Sequence, residues 1–581
     1  MLGGINLSNE DIVIGIDFGT TNSAACIYEN GKPKIIRSAM GYDSFPSVVA
    51  VNDNGDLLVG HHAKKQMASN PTNSVAEFKL DMGSNKYIRF NGKDRLPQEI
   101  TALVLGHIKK HAEAYLGKPI NKAVISVPAS FNSVARTATI EAGEIAGFEV
   151  EDLVDEPTAA CLTYSVTKNI LGNILVFDIG GGTLDITIGS FDGSKLVPIV
   201  TTGARVGGRD ITIALWDYVK REFEEKNGYK LEDYVTPKYD PLIDLYNASE
   251  IAKIELSTAK STNVHKDSIL MNDEGEHINL DVDVDRFTLN ELSDQVVKRS
   301  KEKVIEALSD ANLTKEDIDY LVFVGGPTKM PFLRETIEKV LDKSAAEDID
   351  PMICVAQGAS MYSGGPIAVG NINALTLSIV TNETDSDPII PKNTPLPTEV
   401  TKVYYTARDN QPSANIQIVE GESIFAKENH KLHSFTLRGL PIRPKGEVKI
   451  QVKLKVDANG IMELSAEELS TKTKLSTTIH SSTRMSTEEI KKAGLDNDDL
   501  LRNYEEKIKQ KDIINDGKEV IFEAKNLIKN SSGNMLMSDR NRINENIEKL
   551  EGLLDNANDF VLIKVNTKNL KKLIEEIESD E

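Results

Sequence analysis

The chain has few cysteines and no long apolar run. Its 581 residues include three cysteines that lie far apart in sequence: Cys26, Cys161 and Cys354. Isolated cysteines form neither a metal-ligand spacing nor a disulfide framework, which is typical of a reducing compartment, so we expect a cytoplasmic location. Residues 1–10 lack the basic and apolar regions of a secretory signal. The most apolar stretch, Ile174–Leu184, contains an aspartate and three glycines, so we expect no membrane span.

Positive charge is also scarce. The chain has 67 Lys and Arg against 89 Asp and Glu, a formal net charge of −22. Proteins that coat nucleic acids need clustered Lys and Arg, so this balance argues against a nucleic-acid partner. With 40% hydrophobic and 27% charged residues, wholesale disorder and fibrous repeats are excluded. The length predicts roughly three to four domains.

The pattern of apolar residues changes twice along the chain. Up to about residue 366, β-branched runs alternate with amphipathic segments, which indicates an α/β architecture. The clearest strands are Ile12–Ile16, Ala123–Val127, Ile174–Phe177 and Tyr320–Val324, and the clearest helices are Ser133–Ala146 and Leu292–Leu308.

The remaining third of the sequence shows first a pattern typical of β-strands and then one typical of α-helices. From Leu375 to about Ile479, apolar residues occupy every second position, as in Val448–Val456 before the turn at Asp457–Gly460, which predicts antiparallel strands with one buried face. From Ser486 onward the pattern is that of charge-rich helices, including Asn541–Leu554 and Thr567–Ile577. Ser486 itself is a suitable helix start.

The α/β part contains a weak internal repeat. Ile14–Thr21 and Leu175–Thr183 each consist of a strand, an aspartate and a Gly/Thr turn, and a second strand follows each. Glycines let backbone N–H groups approach an anion, threonines add donors, and aspartates hold Mg²⁺, usually through its water. We therefore expect two similar lobes that face a phosphate site, although each turn alone could be an ordinary hairpin. No Walker P-loop is present.

Four stretches resemble the nucleotide motifs of the seventy-kilodalton heat-shock chaperones of the DnaK type, in the family's order. They are Asp17–Ser23, Val154–Ala160, Asp178–Asp185 and Val324–Pro331. The resemblance continues through the β region at Ile390–Thr394, Asp409–Gln411 and Val456–Ile461, and it weakens after about residue 490. The nucleotide motifs are shared with actin and sugar kinases, but the β-region motifs are not.

The resemblance implies a multidomain fold with four parts. Residues 1–366 would be an actin-like, two-lobed α/β ATPase domain, residues 367–374 a linker, residues 375–485 a peptide-binding β-sandwich, and residues 486–581 an α-helical lid. The implied ligands are ATP or ADP with Mg²⁺, and K⁺ is a further candidate.

The implied catalytic residues surround the phosphates. Asp17 and Asp178 would position Mg²⁺, largely through water, and Lys79 would orient the attacking water. Glu156 would hold the network of Mg²⁺ and water, and Thr183 would act beside it. Such an arrangement suits phosphoryl transfer, where positioning and charge neutralisation dominate. Without the resemblance, Lys79 would read as a solvated surface lysine.

The nucleotide-binding residues implied by the resemblance come from both lobes: Gly19, Thr20, Thr21, Asn22, Gly180, Gly181, Gly182, Thr183, Gly207, Gly208, Glu250, Lys253, Ser257, Gly325 and Gly326. Glu250, Lys253 and Ser257 share one helix face, which without the resemblance is better read as an exposed charged surface. Pro128 and Arg136 match the family's interdomain switch, and they could also be an ordinary strand end and helix surface.

The implied peptide channel lies in the β region. Its residues would be Ile379, Tyr404, Ala407, Ala414 and Ile416, which would bind an extended hydrophobic polypeptide through main-chain hydrogen bonds and an apolar pocket. The alternation of these residues fits simple core packing equally well.

Three departures from the family pattern affect coupling and peptide contact. The linker is short and lacks the family's leucines and final aspartate. Glu151 and Asp152 stand where basic residues precede the Glu-Pro motif, and this reversed charge argues against a standard J-domain partner. Asn382 replaces a methionine that arches over the peptide, and Ala414 replaces a valine.

These features predict a chaperone that binds and releases unfolded polypeptides in a cycle driven by ATP hydrolysis, with a nucleotide-exchange factor as a further partner. One alternative is a divergent member that binds ATP as a co-chaperone or regulator and cycles little. A small-molecule kinase of the actin type is disfavoured, because such kinases need neither the β region nor the lid.

Overall fold

The computed structural model describes residues 12–38, 40–168, 170–346, 349–362, 365, 367–381, 384–457, 460–479, 485–530, 535–556 and 559–580. The predictions for residues 1–10, Pro366, Asn382 and Ala458–Asn459 fall outside these ranges. The chain divides into two compact units, Met1–Asn497 and Asp498–Glu581. Across the described ranges, no helix combines the length and apolarity that a membrane crossing needs.

The first lobe is built on a mixed sheet with the order β11-β10-β1-β2-β3, in which β4 also pairs with β2. Its strands and helices are β1 (Val13–Asp17), β2 (Asn22–Glu29), β3 (Lys32–Ile35), β4 (Phe45–Pro46), β5 (Val48–Val51), β6 (Leu57–Val59), α1 (His61–Gln66), β7 (Ser74–Ala76), β8 (Ile88–Phe90), β9 (Lys93–Arg95), α2 (Pro97–Leu116), β10 (Lys122–Val127), α3 (Ser133–Ile145), β11 (Glu149–Asp155) and α4 (Glu156–Lys168).

The second lobe is built on a sheet with the order β17-β12-β13-β14-β18. Its strands and helices are β12 (Gly172–Ile179), β13 (Leu184–Phe191), β14 (Lys195–Ala204), α5 (Gly208–Asn227), α6 (Pro241–Glu255), β15 (Ser261–Met271), β16 (His277–Asp285), α7 (Arg286–Leu292), α8 (Asp294–Asp310), β17 (Tyr320–Val324), α9 (Pro331–Leu341), α10 (Cys354–Tyr362) and β18 (Ala368–Val369).

The two sheets repeat one topology, as the internal repeat predicts. In the first, β1 pairs antiparallel with β2 and parallel with β10. In the second, β12 pairs antiparallel with β13 and parallel with β17. Both faces of β12 are covered, because Leu175 and Phe177 lie in one core cluster while Ile174 and Val176 lie in another. This double burial explains the nearly continuous apolar run in the sequence.

The β region forms two antiparallel four-stranded sheets, in the orders β21-β20-β24-β25 and β23-β26-β27-β28. Its strands are β19 (Asn371–Ile372), β20 (Leu377–Thr381), β21 (Asp385–Ile390), β22 (Pro395–Leu396), β23 (Thr398–Tyr405), β24 (Ser413–Glu420), β25 (His430–Arg438), β26 (Lys449–Val456), β27 (Met462–Glu468) and β28 (Lys474–Ile479). Ile418 and Val452 come from different sheets and share one core cluster, as in a sandwich.

The last part of the chain is helical, as predicted. It contains α11 (Thr487–Asn530), α12 (Met537–Asn556) and α13 (Phe560–Asp580). The predicted start at Ser486 is confirmed by a reciprocal cap: the Glu489 N–H donates to Ser486 Oγ (3.2 Å), and the Ser486 N–H donates to Glu489 Oε2 (2.7 Å). Within the second unit, residues such as Ala524, Ile543 and Leu570 form a hydrophobic core.

Two predicted segments show further detail. The helix predicted over Leu292–Leu308 is confirmed as α8, which begins at Asp294 and is separated from α7 by Ser293. The Ser293 hydroxyl donates to the Leu289 and Asn290 carbonyls, which competes with helix continuation at this residue. The segment predicted as a linker contains short strands: β18 extends the second-lobe sheet along β14, and β19 pairs with β22.

Candidate functional site

A cavity of about 1060 Å³ lies in the first unit and is lined by both lobes. It brings together most of the residues expected to bind nucleotide: Asp17, Gly19, Thr20, Thr21, Asn22, Lys79, Glu156, Asp178, Gly180, Gly181, Thr183, Gly208, Glu250, Lys253, Ser257, Gly325 and Gly326. Gly182 and Gly207 were also expected to bind nucleotide, but they are not among the residues that line this cavity. A Cβ on Gly182 would come within 3.0 Å of the Leu80 side chain, and one on Gly207 within 2.7 Å of the Gly180 carbonyl.

The two Gly/Thr turns face each other across the cavity. One follows β1 and the other follows β12, so the repeated topology places each turn at the end of an equivalent strand. A Cβ on Gly181 would lie 2.4 Å from Thr21 Oγ1, so glycine is required for this approach. The backbone N–H of Gly208 donates to the Gly180 carbonyl at 2.9 Å. The arrangement leaves backbone groups close enough to cradle an anion.

Lys79 is buried beside carboxylates and is not on a solvated surface. It lies on a short 3₁₀ turn, Phe78–Asp81, which the buried Phe78 anchors. Its side chain is only 4% exposed, and Nζ lies 2.6 Å from Glu156 Oε1 and also donates to the Phe18 carbonyl. Charge-assisted bonds of this kind hold a lysine in one position.

Three further carboxylates share this buried environment. Burial and the charge of Glu156 raise the pKa of Asp17 to about 7, against the opposing effects of Lys79 and of a hydrogen bond from Ser126. Burial, followed by the charges of Glu156, Asp185 and Asp17, raises the pKa of Asp178 well above its usual value. Burial and Glu156 likewise raise the pKa of Asp185 to about 7. The cluster therefore carries more negative charge than Lys79 can balance.

This imbalance fits a cation. The charge of Asp17 contributes to raising the pKa of Asp178, and a cation between the two carboxylates would oppose that effect. Among the described residues, no three His, Cys, Asp or Glu side chains converge as a direct metal-ligand group. Two carboxylates without a third ligand suit Mg²⁺, which keeps several of its waters.

The residues expected at the adenosine lie on α6 and on the turn after β17. Lys253 Nζ lies 2.7 Å from Glu250 Oε2 and 2.9 Å from Thr212 Oγ1, so these side chains are held in place and are not free on a surface. Ser257 lies one turn further on and also lines the cavity. On the other side, Gly325 has φ 86°, and a Cβ there would meet the Ile179 carbonyl at 2.0 Å.

The two residues expected to act as a switch lie in the first lobe, after β10 and on α3. Pro128 is buried directly after β10, and its carbonyl accepts the Phe131 N–H. Arg136 on α3 forms an ion pair of 2.5 Å with Asp155, which directly precedes Glu156 in sequence. Arg136 is therefore linked to the Lys79–Glu156 ion pair through its partner Asp155, which is the sequence neighbour of Glu156.

The acidic pair at the expected J-domain position is partly buried. Glu151 Oε1 accepts a hydrogen bond from Lys122 Nζ at 2.8 Å. Burial raises the pKa of Asp152, against the hydrogen bond from its neighbour Leu153. The Asp152 carboxyl therefore lies in a place where limited access to water opposes its ionisation.

Four of the five residues expected to contact peptide pack together, and the fifth does not. Ile379, Ala414 and Ile416 are buried in the core of the sandwich, and Tyr404 packs against it. Ala407 is exposed beyond the end of β23. The alternative interpretation, simple core packing, therefore describes the contacts of the first four residues in this structure.

Sequence reasoning missed two features of this region. Asp185 belongs to the buried carboxylate cluster, and its place at the end of the motif Asp178–Asp185 was the signal available in the sequence. Arg209 Nε lies 2.9 Å from Glu77 Oε2, so an ion pair joins the two lobes across the cavity. No sequence pattern pairs these two residues, because they are brought together only by the fold.

Comparison with known proteins agrees with this architecture. The family model described as "Hsp70 protein" matches residues 13–89 and 84–581. The chain is 37% identical to the protein named "Chaperone protein DnaK" of Cenarchaeum symbiosum (strain A), over 98% of this chain and 88% of that one. It is 37% identical to the protein of the same name from Methanothermobacter thermautotrophicus, over 98% and 97% of the two chains, and 36% identical to that of Thermoplasma acidophilum, over 98% and 92%. The chain therefore belongs to the Hsp70 family.

Proposed function

We propose that this protein is an ATP-dependent molecular chaperone that hydrolyses ATP to ADP and phosphate and couples this reaction to the binding and release of unfolded polypeptides. The observation that carries the proposal is the buried Lys79–Glu156 pair beside two facing Gly/Thr turns, in a chain that also has a β-sandwich and a helical segment. No observation favours the co-chaperone alternative.

The proposed division of labour follows the predicted boundaries. Residues 1–366 bind and hydrolyse the nucleotide, 367–374 link the domains, 375–485 bind peptide, and 486–581 form the lid. Ile379, Tyr404, Ala414 and Ile416 would contact peptide once the sandwich edge opens, with Ala407 at the rim; their shared core cluster supports a common place for the first four.

In the hydrolytic step, a bound Mg²⁺ would supply charge neutralisation at the phosphates, with K⁺ as a further candidate cation. Asp17 and Asp178 would hold the cation through water. Lys79 holds the attacking water through Nζ, and Glu156 fixes the direction of that ammonium group. These residues act by positioning, which is the main requirement of phosphoryl transfer.

The partners include a nucleotide-exchange factor and, less well matched, a J-domain protein. Because Asp152 places a carboxylate where a J-domain contact would need a cation, we expect a standard J-domain protein to stimulate ATP turnover weakly. Strong stimulation that persists in Asp152→Ala would contradict this charge argument. The three buried free thiols support a location in the reducing cytoplasm.

Two measurements test the function directly. Steady-state ATP turnover should rise when an unfolded polypeptide is added, and a bound fluorescent peptide should dissociate faster with ATP than with ADP. Equal dissociation rates in the two nucleotides would contradict the coupled cycle and favour the regulator. Phosphorylation of a sugar or acid by the purified protein would favour the kinase alternative.

A further inference from the structure

One buried serine contacts the first Gly/Thr turn at two places. Ser47 lies between β4 and β5 and is only 1% exposed. Its Oγ donates to the Gly19 carbonyl at 2.7 Å, and its backbone N–H donates to the Thr21 carbonyl at 2.9 Å. A single residue, 28 positions away from Gly19 in sequence, therefore holds two carbonyls of this turn.

A second buried hydroxyl supports this contact. Ser23 Oγ lies 3.0 Å from Ser47 Oγ, and both serines are buried. A serine hydroxyl has one hydrogen to donate but can accept two hydrogen bonds. Because Ser47 donates its hydrogen to Gly19, Ser23 is the donor in the bond between the two serines. The chain of donors therefore runs from Ser23 through Ser47 to the Gly19 carbonyl, in a place with little access to water.

The segment that carries Ser47 is held by packing. The strand before it, β4, pairs with the start of β2, directly after the turn. Phe45 of β4 is 1% exposed, and its ring centroid lies 5.9 Å from that of His107 and 5.4 Å from that of His111, both on α2. A side chain on a packed segment can hold its partner in one geometry. Ser47 is therefore in place before any ligand binds.

The second Gly/Thr turn has the same arrangement with different donors. Two backbone N–H groups at the start of α5 donate to its carbonyls: that of Gly208 to Gly180 at 2.9 Å, and that of Arg209 to Gly181 at 2.7 Å. Each turn therefore has two carbonyls bonded to a neighbouring segment. In the first turn one of the donors is a side chain, so a substitution can remove it without a change of backbone.

Bonded carbonyls matter at a phosphate site. A carbonyl oxygen is the negative end of the peptide dipole and repels an anion, whereas an N–H group attracts one. The carbonyls of Gly19 and Thr21 cannot rotate toward a phosphate while they are bonded to Ser47. The donors of the turn can therefore face a phosphate without reorganisation, which is the condition for strong electrostatic stabilisation.

We propose that Ser47 is a positioning residue for the phosphates of ATP, because it holds the Gly19 and Thr21 carbonyls and so keeps the first Gly/Thr turn in the shape that binds an anion. The inference rests on the proposed function, since it adds a residue to the proposed ATP site. Ser47 lines the same cavity, but the hydrogen of its hydroxyl is donated to Gly19, so it acts through the turn. Its removal should weaken the binding of phosphates and spare that of adenosine.

The second lobe offers a matched control. Ser300 on α8 is fully buried, and its hydroxyl also donates to a carbonyl, that of Val296, at 2.8 Å. Ser300 is not among the residues that line the cavity. Ser300→Ala therefore removes an equally buried hydroxyl from the same residue type, and it measures what the loss of such a group does away from the turn.

The test measures the dissociation constants of ATP, ADP and adenosine by competition with a fluorescent nucleotide, in the full-length wild type, Ser47→Ala and Ser300→Ala. Removal of a buried donor from its acceptor shifts an equilibrium by about tenfold, so ATP and ADP should bind about tenfold more weakly to Ser47→Ala. Adenosine has no phosphate and should bind to all three proteins within about twofold. Ser300→Ala should bind every ligand within about twofold of wild type.

Ser23→Ala provides a graded variant. It removes the first donor of the chain but leaves Ser47 bonded to Gly19, so ATP affinity should fall by less than in Ser47→Ala, and adenosine affinity should not change. A larger loss of ATP affinity than in Ser47→Ala, or no loss at all, would contradict the order of donors. This variant also tests the proposal if Ser47→Ala does not fold.

The comparison of ATP with adenosine distinguishes positioning from a general loss of structure. If Ser47→Ala binds ATP as tightly as wild type, or loses adenosine affinity to the same extent as ATP affinity, the positioning role is wrong. If wild type binds ATP but its peptide release does not respond to it, the proposed chaperone function fails while the affinities still test Ser47. If wild type binds no ATP, both proposals fail.

Discussion

The Lys79–Glu156 pair allows the sharpest test of the catalytic assignment. Replacing Lys79 with alanine removes an ammonium that lies 2.6 Å from Glu156 Oε1 and is almost fully buried. Asp17 and Asp178 stand in the same cluster, and Lys79 lowers both of their pKa values. The substitution therefore leaves buried negative charge without its compensating cation.

The magnitude follows from burial. Removing one partner of a buried ion pair typically costs about 3–5 kcal/mol, so the free energy of unfolding without nucleotide should fall by up to that amount. Losing a preorganised group that acts on the transition state typically costs about 100-fold to 1,000-fold in rate. Lys86 provides the control, since its Nζ also lies 2.6 Å from a carboxylate oxygen, that of Asp81, but the lysine is exposed. Lys86→Ala should cost less than about 1 kcal/mol.

The assay is single-turnover hydrolysis with saturating enzyme. The single tryptophan, Trp216, lines the nucleotide cavity, so its fluorescence can report ATP binding in the same samples. We expect Lys79→Ala to bind ATP with an affinity close to that of wild type while hydrolysis is nearly abolished. Hydrolysis at the wild-type rate in a variant that binds ATP would refute the assigned role.

Three further predictions concern the stability and reactivity of buried groups. Burial opposes ionisation of Glu468, but hydrogen bonds from Thr471 and Ser470 lower its pKa from 4.5 to about 2. The stability that the ionised carboxylate adds should be present above pH 4.5 and be lost toward pH 2. Denaturant unfolding of Glu468→Ala should lack this pH dependence. Burial, followed by the charges of nearby histidines, holds the pKa of His107 well below its usual 6.5. The unfolded chain therefore takes up a proton at this histidine at a higher pH than the folded chain, and the free energy of unfolding should fall from pH 7 to pH 5. The fall should be smaller in His107→Gln, and an equal fall would contradict this. Burial raises the pKa of all three cysteine thiols, to about 12 for Cys26 and Cys161. A thiol reagent should therefore modify none of them quickly in the native protein, and all three after denaturation: Cys26, Cys161 and Cys354.

The backbone shape of the two Gly/Thr turns could be predicted from the sequence, because it depends on local chain geometry. A strand that ends in an aspartate followed by a Gly/Thr turn defines its own backbone shape, and Gly181 and Gly325 are required by close approaches that a Cβ would block. The repeat of the motif then predicted the repeat of the sheet. Lys79 was found only through the resemblance, because nothing in its local sequence indicates burial.

The sequence could not predict contacts between residues far apart in the chain. The Glu77–Arg209 pair and the Glu420–Ser133 contact each join segments that no local pattern relates. The β region shows a different limit. Alternation locates inward-facing residues such as Ile416, but core residues and channel residues have the same pattern, so periodicity cannot separate them.

Burial of charged side chains indicates positions where stability does not explain the choice of residue, and composition alone does not indicate them. An apolar pair of similar volume is often as stable as a buried ion pair, so stability alone gives no reason to keep Lys79 with Glu156, or Glu420 at the end of α3. Each of these charged groups is nearly inaccessible to water, and each binds partners from a distant segment. Lys79 lines the cavity into which both Gly/Thr turns project, where the proposed reaction would need phosphate charge to be stabilised. Glu420 accepts both of its hydrogen bonds from Ser133, the first residue of α3. An apolar residue could fill either space, but it could make neither set of contacts, so the contacts and not the filled volume distinguish these positions.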